Sequence, residues 1–368
     1  MATHHSREIF IGVMSGTSLD GVDAVIARFD KEKPRLLAHS RVEFDPALHR
    51  GLLSLNHKNE NELETAQVLS NELARCYANA CAQLLQATNL TPRDVSAIGC
   101  HGQTVRHRPD LGFTLQLNNP SLLAEMTHIA VVADFRSRDI AAGGQGAPLV
   151  PAFHAAVFGD KKIHRAVVNI GGISNLTDLP IHGDISGFDC GPGNVLMDAW
   201  IQQHHSVAFD RDGEWALGGN VLSELLQKML ADKYFSVPPP KSTGRDLFNL
   251  PWLLQFLAND VRPRDVQTTL LALTAQTIVD AVQRHAAGAK EIYFCGGGVR
   301  NRTLMQALEP ALAPAKVCQT DDLGIDAEHV EALAFAWLAR QTVNLKTGNV
   351  PAVTGARGER ILGGIYPA

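Results

Sequence analysis

This chain has no C-x-x-C pair, no run of one charge, and no apolar stretch near the about 18 residues that span a bilayer. Its six cysteines, Cys76, Cys81, Cys100, Cys190, Cys295 and Cys318, are scattered, which excludes a zinc knuckle and a disulfide framework and fits a reducing compartment. Lys and Arg total 33 against 38 Asp and Glu, a net charge of −5, so neither nucleic acid nor an anionic membrane surface is an expected partner. Met1 to Arg7 lack the apolar segment of a secretion signal, and the expectation is a cytoplasmic protein. No low-complexity tail is present. His101 and His107 stand six apart and match no common metal spacing. A hydrogen-bonding role in a turn or sugar pocket suits His101 better.

What the chain has is glycine, 31 residues of it, gathered into turns between apolar runs. Gly12-Val13-Met14-Ser15-Gly16-Thr17-Ser18-Leu19-Asp20-Gly21-Val22-Asp23 joins the strand-like Glu8 to Ile11 to a second strand-like run, Val22 to Phe29. It has no Walker lysine and opens no helix, which excludes a P-loop and a dinucleotide fingerprint. A tight hairpin remains, whose amides and hydroxyls can approach an anion, or which is an ordinary glycine-rich turn. Arg35 to Phe44 is strand-like, Glu60 to Ala87 has helical spacing, and Val95 to Cys100 is a strand entering the turn His101-Gly102-Gln103-Thr104.

The second half restarts the pattern. Ala166 to Leu179 is again strand, glycine turn (Gly171, Gly172), strand, and a long helix from Thr268 to Ala287 feeds a strand and the turn Gly296-Gly297-Gly298. The repetition predicts two related α/β lobes facing each other across a cleft, with a nucleotide held between them. The boundary is placed at 135/136. Residues 1–135, completed by part of the C-terminal segment, form the first lobe, and 136–368 the second. Phosphates fall to the two hairpins, and adenosine to Gly296, Gly297 and Gly298, where a flat ring meets no side chain.

Asp189, in Gly-Phe-Asp-Cys-Gly-Pro-Gly, is the carboxylate suited to base catalysis; the competing role is a helix cap, for which Asn194 is better placed. Asp20 and Asp23 are acceptors, or reach a nucleotide-bound magnesium ion through water, or merely stabilise the turn. Arg136 and Arg138 suit bidentate recognition of a carboxylate or phosphate, with a surface salt bridge as the plain alternative. Glu331 follows Asp326, which reads as a helix cap, and its spacing alone favours a solvated charge.

Taken together these motifs resemble the anhydro-N-acetylmuramic acid kinases, of the superfamily of acetate and sugar kinases, heat-shock chaperones and actin. The match spans Gly12 to Asp23, Gly99 to Val105, Gly144 to Pro151, Asn169 to Asn175, Asp189 to Asn194, Pro239 to Arg245, Gly296 to Asn301 and Val353 to Ala356. One departure is Cys190, where a Thr is expected beside the base. The resemblance implies an actin-like, ribonuclease H-like fold of two lobes with mixed sheets flanked by helices and an active-site cleft between them. It implies a reaction using ATP and Mg²⁺ in which water opens the 1,6-anhydro ring of 1,6-anhydro-N-acetylmuramic acid while O6 takes the γ-phosphoryl group. The resemblance places the base at Asp189, substrate contacts at Thr104, Arg138 and Glu331, and ATP contacts at Gly16, Thr17, Ser18, Leu19, Asp20, Gly21, Val22 and Asp23. It also implies domain closure and a homodimer. A kinase of the same fold acting on another sugar, and a nucleotide-driven binding protein, are the rival readings.

Overall fold

The structure, a computed structural model, describes residues 8–16, 19, 21–56, 60–258 and 260–368. Internal contacts divide the chain into a first unit of residues 1–157 and 329–368 and a second of 158–328.

The first unit is built on a six-stranded sheet. Ile9–Met14 pairs antiparallel with Gly21–Asp30, which pairs antiparallel with Lys33–Glu43; on its other side Ile9–Met14 runs parallel to Ala97–Cys100, and that strand parallel to Val131–Ala133. Gly364–Tyr366 closes the far edge, antiparallel to Val131–Ala133. Side chains alternate across a strand, and here both faces are covered. Ile9, Ile11 and Val13 join a cluster with Leu69, Leu73, Tyr77 and Leu84 of the helix Glu62–Thr88. On the opposite face Gly12 lies against the helix Val330–Val343, where an added Cβ would collide with the Ala332 carbonyl oxygen. A Cβ at Gly99 would strike the Phe335 carbonyl in the same way. Burial on two faces explains why the opening strand reads as an unbroken apolar run.

The second unit has five strands. Arg165–Ile170 pairs antiparallel with Ile173–Leu179, and that strand antiparallel with Ser186–Pro192; Arg165–Ile170 is parallel to Glu291–Cys295, which is parallel to Lys316–Gln319. Apart from the extra edge strand Gly364–Tyr366 of the first unit, the sheet strands of each unit, numbered in chain order, read fifth, fourth, first, second, third, with the same directions. A long helix, Glu62–Thr88 or Pro263–His285, stands between third and fourth strands in each. This shared α/β plan is the actin-like, ribonuclease H-like arrangement.

The division falls after Val157, not at 135. Residues beyond 135 are tied to the first unit by specific bonds: Arg136 reaches Gly146 and His101, and Asp139 reaches Asn349 and Thr354. The long helices lie close to their expected spans. One start is displaced: the helix carrying Glu331 begins at Val330, because Asp326 Oδ1 accepts from the Glu328 amide at 2.9 Å in a separate turn.

Candidate functional site

In the second unit, Asp189 lies on the edge strand Ser186–Pro192, and the register against Ile173–Leu179 shifts between Asp189 and Gly191. It is 8% exposed. A carboxylate so enclosed needs donors, and its Oδ2 accepts from the Thr243 amide at 2.9 Å. Its main chain is held too: the Asp189 amide donates to the Lys241 carbonyl at 3.2 Å, and the Tyr234 hydroxyl donates to the Asp189 carbonyl at 2.6 Å. Asp189 therefore sits inside a strand and does not cap the following helix. Nor does the Asn194 side chain, which donates to the Ile170 carbonyl at 3.4 Å.

The second hairpin turn instead receives that helix. The amides of Gly193 and Asn194 donate to the carbonyls of Gly172 and Gly171, both at 2.9 Å. The Gly296–Gly298 turn packs onto the same hairpin: a Cβ at Gly296 would collide with Asn169 Oδ1, and one at Gly298 with the Ile170 side chain. Gly296 also has φ +82°, open chiefly to glycine. Gly297 is exposed, and a Cβ there would meet nothing within 4 Å. One bare glycine surface results, beside the hairpin, and Asn301 starts the next helix by accepting from the Leu304 amide at 3.0 Å.

In the first unit, Thr17, Ser18 and Asp20 lie outside the described residues. Around them the hairpin is anchored. Ser15 is buried, its hydroxyl 2.8 Å from the Tyr77 hydroxyl and donating to the Gly102 carbonyl at 3.2 Å, so it serves the scaffold. The Gly16 carbonyl accepts from the Leu19 amide at 3.3 Å and from Gln103 Nε2 at 3.2 Å. Leu19 and Val22 put their side chains into the core, leaving only main chain for a ligand. Gly21 pairs opposite Glu43, and a Cβ on it would meet the Val42 carbonyl oxygen at 2.5 Å. Asp23 is paired with Arg41 at 3.6 Å.

Arg136 is internal to the fold: its Nε and Nη2 donate to His101 Nε2 at 3.1 and 2.9 Å, and Nη1 to the Gly146 carbonyl at 2.8 Å. Burial, then the Arg136 charge, hold His101 well below the usual histidine range, so the ring is neutral. Arg138 differs from its neighbour. It is exposed on the short helix Ser137–Ala141, and among the described residues its guanidinium makes no hydrogen bond or ion pair. The same helix buries Asp139, whose Oδ1 accepts from Asn349 at 2.7 Å and Thr354 at 2.8 Å while Oδ2 accepts from the Gly146 amide at 2.8 Å. Thr104, half-buried, accepts from Gln116 Nε2 at 3.2 Å through its hydroxyl. Glu331 is half-buried in the first turn of a helix whose next eleven residues are buried, rather than on a solvated face.

Thr104, Arg138 and Glu331 thus belong to the first unit, and Asp189 with Gly171, Gly172 and the Gly296–Gly298 turn to the second. Sequence reasoning missed Tyr234, Lys241, Thr243 and Asp139. Their signals were the Pro239 to Arg245 run and an Asp beside Arg138 in a glycine-flanked loop.

A family model described as anhydro-N-acetylmuramic acid kinase matches residues 8–368. A relative of that name from Nitrosomonas europaea is 52% identical over 361 residues, covering 98% of this chain and 99% of the relative. Another, from Nitrosospira multiformis, is 54% identical over 361 residues with the same coverage, 98% and 99%. The solved activator of the 2-hydroxyisocaproyl-CoA dehydratase from Clostridium difficile with bound ADPNP aligns with a TM-score of 0.48 at 11% identity, covering 92% of this chain and 96% of that one. With its own length and that of its relatives both matched almost end to end, the chain belongs to the anhydro-N-acetylmuramic acid kinase family.

Proposed function

We propose that this kinase uses ATP and one water molecule to convert 1,6-anhydro-N-acetylmuramic acid to N-acetylmuramic acid 6-phosphate and ADP, a step in peptidoglycan recycling in the cytoplasm. Asp189 is the base. Held at Oδ2 by the Thr243 amide and enclosed in a bulged strand, its carboxylate takes a proton from the water that attacks C1. The C1–O6 bond breaks as O6 accepts the γ-phosphoryl group. Attack comes from the face opposite the departing oxygen, as in inverting glycosidases. Because phosphorus captures that oxygen, no separate general acid is required.

Arg138, exposed and with no side-chain partner among the described residues, is suited to the lactyl carboxylate through two parallel N–H donors. Thr104 and Glu331 provide further sugar contacts. Main chain from Gly16 to Asp23, with the hydroxyls of Thr17 and Ser18, and the Gly171-Gly172 turn bind phosphates. The exposed Gly297 offers the adenosine a surface free of side chains. Mg²⁺, arriving with the triphosphate, neutralises its charge in the manner usual for phosphoryl transfer. Asp23 is engaged by Arg41, so Asp20 is the hairpin carboxylate left to reach the ion through water. The working form is a homodimer.

The buried, doubly anchored Asp189 carries this reading. Its test is incubation with ATP, Mg²⁺ and the anhydro sugar in H₂¹⁸O. Incorporation of one ¹⁸O at C1 together with one phosphate supports it; phosphorylation of N-acetylmuramic acid at an equal rate, or ATP turnover indifferent to any amino sugar, rejects it.

A further inference from the structure

Asp189 stands on an edge strand, where one side of the main chain lacks a neighbouring strand. Residues 232–243 supply what is missing. The Lys241 carbonyl takes the Asp189 amide, the Tyr234 hydroxyl gives its proton to the Asp189 carbonyl at 2.6 Å, and the Thr243 amide meets the carboxylate at 2.9 Å. Tyr234 is itself locked. Asp232 Oδ1 accepts from its amide at 2.9 Å and Asp232 Oδ2 from Trp252 Nε1 at 2.9 Å. Its ring meets Phe248 edge-on at 5.5 Å and Phe235 at 5.8 Å. Lys241 Nζ lies 4.5 Å above it and donates to its carbonyl at 3.1 Å.

Resting on the reading of Asp189 as base, we infer that Tyr234 is a positioning residue for that base: its hydroxyl, braced by the aromatic cluster and Lys241, fixes the main chain from which the carboxylate is aimed. The carbonyl can only accept, so the hydroxyl must stay protonated. Burial and the neighbouring Asp189 charge push its ionisation up, well away from the working range. Tyr234→Phe removes one oxygen and keeps the ring. A base displaced by a fraction of an ångström loses alignment with its water while both ligands still bind.

The experiment is steady-state kinetics of the full-length Tyr234→Phe, Lys241→Met, Lys241→Arg and Asp189→Asn variants, following ADP and sugar phosphate separately, with Tm recorded for each. Tyr234→Phe is expected to lower kcat about 10- to 100-fold. KM for ATP and for the sugar should stay within about twofold, and ADP released per sugar phosphate should rise above one. Lys241→Met is expected to shift kcat in the same direction from the other side of the ring, with Lys241→Arg recovering most of the loss. Unchanged kcat in Tyr234→Phe and Lys241→Met overturns the inference, as does a loss shared by kcat, both KM values and Tm, which marks a merely structural strap. If Asp189→Asn is inactive and Tyr234→Phe normal, only this inference fails; if Asp189→Asn turns over, the base assignment itself fails.

Discussion

At single residues, what matters is how each polar group is spent. Asn at position 189 can still accept from the Thr243 amide, so Asp189→Asn should keep Tm and ATP affinity while kcat falls about 10²- to 10⁴-fold. Circular dichroism beside a coupled ADP assay checks both halves. Arg136 and Arg138 look alike in sequence, yet the first is bound to His101 and Gly146 and the second faces outward. Arg138→Lys should therefore raise the sugar KM about tenfold with ATP KM unchanged, whereas an equal rise in both would move the carboxylate contact elsewhere. Three histidines of the first unit set its response to acid. Burial pushes His154 down to about 3, burial and then Arg136 push His107 down to about 4, and His101 is lowered by the same two causes. The folded unit refuses protons that the unfolded chain accepts below its ordinary histidine value of about 6.5. Stability is thus intact above that pH and lost as pH falls toward the folded values, by up to about 2 kcal/mol per histidine at pH 5. Thermal melts at pH 7, 6 and 5 should show Tm dropping; a flat profile rejects neutral burial.

Between elements, the close approach of Val330–Val343 to the sheet decides where Glu331 is held. Gly12→Ala puts a methyl group into the Ala332 carbonyl, an overpacking that costs about 1–3 kcal/mol and shifts the helix bearing Glu331. Urea unfolding should show the lower stability, and kinetics a raised sugar KM. Both hairpins, both long helices and the glycine turns were legible because apolar spacing and glycine report local conformation. The start of the Glu331 helix was not, since Asp326 to Val330 is compatible with helix throughout and only the Asp326 turn interrupts it. The Glu331 environment was hidden for the same reason: a helix buried all round shows no polar face to compare it with. Two of Asp189's partners lie 45 and 54 residues away, and two of Asp139's side-chain partners lie 210 and 215 away. Loop segments that meet across such separations leave no periodic trace. Ser15 misled more simply, because hydroxyls in a glycine turn look alike until one is found bound to Tyr77.

For the whole molecule, the two units share a strand order but not a way of being assembled from the chain. Residues 158–328 are continuous and hold a complete five-stranded sheet. Expressed alone they should unfold cooperatively in urea with native-like circular dichroism. Residues 1–157 alone should not, because they lack the helix covering Gly12 and Gly99 and the edge strand Gly364–Tyr366. Adding 329–368 as a separate peptide should restore order. A cooperative transition from 1–157 by itself would contradict this.

Chains usually mature on the ribosome from the amino end onward. Here the piece translated first waits for the piece translated last, so the inner stretch has every part it needs before the opening one does. For much of synthesis the bare side of the first sheet is a sticky surface, and the nascent enzyme is most in need of a chaperone near its beginning.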